Sequence, residues 1–81
     1  MVEKISVKEM LGLVGKAIEG EEDINIAIDK AQLALDEFVS EKRKKGIHCR
    51  AEAIPTARNE IEIVLRMPVT LRDVRYRVSV G

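Results

Sequence analysis

"SEKRKKGIHCRAEAI", residues 40–54, contains the point at which the chain changes its periodicity. Before it, Ile24, Ile28, Ala31, Leu35 and Phe38 step by four and three, the spacing of one helix face. After it the step is two: Ile47, Cys49, Ala51 and Ala53 alternate with His48, Arg50 and Glu52, as in a strand with one buried face. Between the two patterns stand four cations and a glycine. Cations favour the negative end of a helix dipole, and glycine takes the left-handed position just past a helix. The stretch therefore predicts a helix ending near Lys45, a stop at Gly46, and a strand beginning at once.

Upstream, the acidic run "EGEED" (19–23) favours the start of that helix at Ile24, because anions stabilise the positive end of the dipole. An earlier helix is marked by "SVKE", Ser6 to Glu9, a capping-box pattern, and by Val7, Met10, Leu11, Val14 and Ile18 at helical spacing. Gly20 is its natural stop. Gly12 and Gly15 weaken it by up to roughly 1 kcal/mol each relative to alanine, an expense expected to allow close approach of a neighbouring element.

Downstream, Ile61, Ile63, Leu65 and Met67 alternate with Glu62, Val64 and Arg66. Val74, Tyr76, Val78 and Val80 alternate with Arg75, Arg77 and Ser79. "PTARN" (55–59) and "PVTLRD" (68–73) are short enough for antiparallel turns, with each proline expected just outside the ladder. The expectation is a single α+β domain over residues 1–81. Two helices pack on one face of a three-stranded antiparallel sheet in the order α-α-β-β-β, giving two layers.

A chain of 81 residues buries only about 60% of the surface its unfolded form exposes, so its core is thin. Small scaffolds commonly add a disulfide, a metal or self-association. One cysteine forbids an internal disulfide, and with one histidine no ordinary zinc set can form. Self-association is the supplement left, and a homo-oligomer is expected.

Formal net charge is zero, so no long-range field draws nucleic acid or an anionic membrane. Residues 1–45 carry eight Lys/Arg against ten Asp/Glu, and residues 46–81 carry six, all arginine, against four. No apolar run reaches the roughly 20 residues of a membrane span, and the first residues lack the apolar stretch of a secretory signal. A lone cysteine fits a reducing cytoplasm. Charged residues at 35% with three amides match the bias of heat-adapted proteins.

The motifs that suggest chemistry do not assemble into a site. His48 and Cys49 are adjacent on a strand, so their side chains diverge, whereas a nucleophile and its base need contact at roughly 3 Å. Cys49 belongs with the core. Glu52, Glu60 and Glu62 interleave with arginines and read as cross-strand ion pairs on a wet face; if Glu62 faces Arg77, then Arg66 faces Asp73. "EGEED" lacks the ligand spacing of a calcium loop, and "GLVGKAIEGEED" is no phosphate loop because no strand precedes it. No cofactor, metal or catalytic residue is expected, although a site shared between subunits would escape this reasoning.

Two binding surfaces remain. Ile26 and Leu33 lie about 180–200° from the core stripe of the second helix at 100° per residue, two turns apart. They are edged by Asp29, Lys30, Asp36 and Glu37, and Leu13 is similarly displaced on the first helix. This narrow apolar seam predicts a subunit contact. The alternative is nucleic-acid binding through Arg50, Arg66, Arg75 and Arg77 with the helix-end cations Lys42, Arg43, Lys44 and Lys45. Phosphate contact suits such a face, but base stacking does not, because Phe38 and Tyr76 are both expected inward. The reading is a cytoplasmic, non-catalytic interaction module with no membrane role.

Overall fold

The computed structural model describes residues 7–67 and 72–80, the side chains of Ala57, Met67 and Arg72 excepted. Helices α1 (Val7–Ala17) and α2 (Ile24–Lys44) precede strands β1 (Arg50–Ala57), β2 (Glu60–Met67) and β3 (Arg72–Ser79). The strands form one antiparallel sheet in the order β1-β2-β3. The expected α-α-β-β-β arrangement is the one observed. Ser6, which opens the capping-box pattern, and most of the second turn (68–71) lie outside the described residues.

Both ends of α2 follow the local chemistry. Asp23 is the N-cap, its Oδ1 accepting from the Asn25 and Ile26 amides at 2.9 and 3.5 Å. Glu21 braces the same turn, accepting from the Asp23 amide and from Lys30 Nζ at 2.9 Å. At the far end Gly46 has φ of 84°. Its N–H donates to Arg43 C=O and that of Ile47 to Lys42 C=O, the paired bonds of a Schellman motif. The glycine closes the helix and aims the chain into β1.

The core joins α1 (Met10, Val14, with Ile18 just beyond), α2 (Ala27, Ala31, Leu35, Phe38) and the inner sheet face (Ala51, Ile61, Ile63, Leu65, Val80). Cys49 belongs to it, and burial pushes its thiol pKa up despite the nearby Lys42 and Arg43. The small side chains of Ala51 and Ala53 let α2 lie close over β1, and α1 packs beside α2.

Two expectations are corrected. Pro55 lies within β1, opposite Ile61, with a bulge immediately after it. The ladder tolerates it because β1 is an edge strand and the Pro55 nitrogen faces away from β2. The phase follows from Gln32, which bonds Ala51 and Ala53 from outside the sheet, so odd residues of β1 turn their backbone groups outward. Gly12 and Gly15 do not serve close packing within the chain: a Cβ at either would meet nothing within 4 Å.

Gln32 is the side chain that fastens α2 to the sheet. Its Nε2 donates to Ala51 C=O at 3.2 Å and its Oε1 accepts from Ala53 N–H at 3.0 Å. One amide thus occupies the place of a neighbouring strand's peptide. Gln32→Ala is expected to lower the unfolding free energy by about 1–2 kcal/mol, read from urea titration of the helical CD signal. Gly15→Ala in the same titration is expected to raise it by up to roughly 1 kcal/mol.

Candidate functional site

Two surfaces compete for a functional role. The first is the outer face of the sheet, where the register sets three rows across β1, β2 and β3: Arg50–Arg66–Asp73, Glu52–Val64–Arg75 and Ile54–Glu62–Arg77. Glu62 does face Arg77, and Arg66 does face Asp73. The closest contacts nevertheless run diagonally as well as straight across. Arg66 grips Asp73 with two bonds, 2.7 and 3.2 Å. Arg75 Nη1 reaches Glu62 at 2.6 Å, and Arg77 Nε lies 3.6 Å from Glu60. Glu62 is buried beneath this network, although the alternation assigned it to a wet face. Glu62 lies mid-sheet on β2, with the Arg75 guanidinium 2.6 Å from its carboxylate.

Arg50, Arg66, Arg75 and Arg77 share this face with Glu52, Glu60, Glu62 and Asp73, four cations against four anions. The guanidinium of Arg66 holds the Asp73 carboxyl below its usual pKa; Asp73 pushes the Arg66 guanidinium up, and Glu62 does the same to Arg75. A phosphate would have to compete with carboxylates already in place. The aromatic side chains lie elsewhere: Phe38 is buried and Tyr76 half-buried on the inner face. A shallow depression of about 260 Å³ over Val64, between Arg50 and Arg75, is smaller than the roughly 300–1,000 Å³ of ordinary small-molecule pockets.

The helix-end cations do not extend this face as one block. Lys42 is 6% exposed, with its ammonium 5.3 Å from the Phe38 ring centroid and 3.7 Å from Glu9 of α1. It ties the two helices together and cannot serve as a surface contact. Its buried stem follows from helical spacing, four residues after Phe38 on the core stripe. Lys44 lies near Glu41 at 3.9 Å, and Arg43 and Lys45 are exposed.

The second surface is the solvent side of the helices. Leu33 is 65% exposed, Ile26 46% and Leu13 41%. The positions are those the 100° spacing assigned them. Charged Asp29, Lys30, Asp36 and Glu37, all exposed, border Ile26 and Leu33 on α2. Sequence reasoning missed two further exposed aliphatics, Ile54 on the outer sheet face and Val74 on the inner face near the start of β3. Ile54 carries no periodic signal, whereas the alternation of β3 assigned Val74 to the buried face, and α2, drawn over β1, leaves it part exposed.

His48 is exposed and Cys49 buried, so the neighbouring pair faces different surroundings. Among the described residues no group of three His, Cys, Asp or Glu side chains lies close enough to hold a metal ion. No described helix is long and apolar enough to cross a membrane. No protein-family model matches the chain, and no curated protein or solved structure shows significant similarity to it.

The Asp73 pair has a pH signature. A carboxyl whose pKa is lowered on folding stabilises the fold above its unfolded value of 3.8, and that contribution is lost as pH falls through the lowered value. Asp73→Asn should therefore reduce the urea midpoint at about pH 7, and the difference from wild type should shrink at about pH 3. Added salt should shrink it as well, since the pair is exposed.

Proposed function

We propose that the protein works by association, as a homo-oligomeric interaction module, and that the solvent side of α2 is a contact between its subunits. The observation that carries this is the exposure of Leu33 and Ile26, two turns apart on the helix face opposite the core. Leu13 adds an exposed aliphatic on α1. A thin core gives such a chain a thermodynamic reason to associate.

Antiparallel pairing of two α2 helices suits the seam. It sets Ile26 of one copy against Leu33 of the other, twice over, and brings Asp29 opposite Lys30 of the second copy. The helix dipoles then oppose each other favourably. Covering four partly exposed aliphatic side chains contributes on the order of 4–8 kcal/mol. Association itself costs a comparable amount, so the contact should be concentration-dependent.

The test is molar mass by chromatography with light scattering, from about 1 μM to about 1 mM. Ile26→Lys with Leu33→Lys should keep the CD spectrum and form smaller species than the wild type at the same concentration. A folded double variant with unchanged mass would remove the α2 face as a contact. A wild type that stays monomeric throughout would remove it too.

A further inference from the structure

The two edges of the sheet are treated differently. On β1 the outward Ala51 C=O and Ala53 N–H are taken by Gln32, whose helix lies against that edge, and the next outward position is Pro55, which has no N–H to offer, followed by a bulge. Together these close that edge to any further strand. On β3 the phase is set by Val80, whose N–H donates to Asn59 C=O at 2.7 Å. Opposed residues alternate along an antiparallel ladder. Val74, Tyr76 and Val78 therefore bond to β2, while the N–H and C=O groups of Asp73, Arg75, Arg77 and Ser79 point away from it. Among the described residues no group takes them.

The same edge is under-covered on its inner face. With α2 drawn over β1, Tyr76 and Val78 are only half-buried and Val74 is 37% exposed. An apolar trio thus borders a row of outward backbone groups.

We propose that β3 is a second self-association site, distinct from the α2 face, at which two copies pair their β3 strands antiparallel into one six-stranded sheet. The occupant is a second copy because the side-chain sequence of β3 complements itself. With the two-fold axis at Arg75, exposed Val74 faces Tyr76 of the second copy on the inner side. Asp73, bonded to Arg66 in its own chain, faces Arg77 of the second copy and adds opposite rather than like charge there. Arg75 meets its own copy at the axis, but each Arg75 is held by Glu62 at 2.6 Å. Closure follows from the sealed β1. Through the sheet, a chain with one open edge pairs once and the sheet stops at six strands, whereas two open edges would let the sheet grow without limit.

Amide hydrogen exchange of the ¹⁵N-labelled full chain, followed by NMR alongside molar mass, tests this directly. The Arg75 and Arg77 amides point away from β2, so an isolated domain leaves them exchanging near the open-chain rate. Paired β3 strands should slow them on the order of 100-fold, toward the rates of Tyr76 and Val78. Arg77→Pro copies on β3 what Pro55 does on β1: its nitrogen faces outward, so the β2 ladder keeps its bonds. It should restore fast exchange at Arg75 and lower the associated mass to what the α2 contact alone sustains. Val74→Lys, which places an ammonium at the same edge without touching the backbone, should do likewise if the proline variant does not fold.

Fast exchange at Arg75 and Arg77 with slow exchange at Tyr76 and Val78, up to about 1 mM protein, would overturn the proposal. So would protection that appears only when a different protein is added, or protection that persists in a folded edge variant. Ile26→Lys with Leu33→Lys should leave the β3 amides protected, so failure of the α2 contact and failure of this one give different results.

Discussion

The Gln32 amide lying along the edge of β1 is the constraint from which much of the remaining architecture follows. It holds α2 over the first strand, where Ala51 and Ala53 leave room, rather than over the middle of the sheet. It satisfies a backbone donor and acceptor that would otherwise face solvent or another strand. The helix layer is thereby drawn toward one edge, and the opposite edge is left with partly covered valine and tyrosine side chains.

A second consequence concerns charge. Because α2 and α1 take the inner face, the arginines and carboxylates of the strands share the outer one, and the sheet register brings them together in equal numbers. Opposite charges at 2.6–2.7 Å satisfy each other before any ligand arrives. Buried Lys42, over Phe38 and near Glu9, further reduces the cationic surface at the helix end. Together these features count against a phosphate-binding face, whereas Leu13, Ile26 and Leu33 stand exposed on the helices. Association through apolar surface is the reading that uses what the fold leaves uncovered.

Much of this was legible in the chain. The 3.6-to-2 change at Gly46 placed α2 and β1, and the period-2 runs placed β2 and β3 with the register of Arg66 and Asp73. The angular positions of Ile26 and Leu33 also followed from helix geometry alone. What escaped reading depended on contacts between distant segments. Gln32 looked like an ordinary polar residue on a helix flank, since nothing local says that its amide will meet a strand about twenty residues on. Pro55 was assigned to a turn because local rules place proline outside ladders, and only the pairing shows that its nitrogen points off the edge. Glu62 was assigned to water by alternation, but alternation names a face and does not say what lies over it.

The division has a plain physical origin. Local periodicity, helix capping and turn chemistry act within a few residues, so the sequence by itself determined the elements, their order, and which side of each is apolar. Only the tertiary structure decided which strand α2 sits on, which sheet edge Gln32 and Pro55 close, and which arginine holds which carboxylate. Those outcomes depend on side-chain size at Ala51 and Ala53, on the reach of Gln32, and on the diagonal offset between neighbouring strands. Each is a three-dimensional fit with no one-dimensional signature.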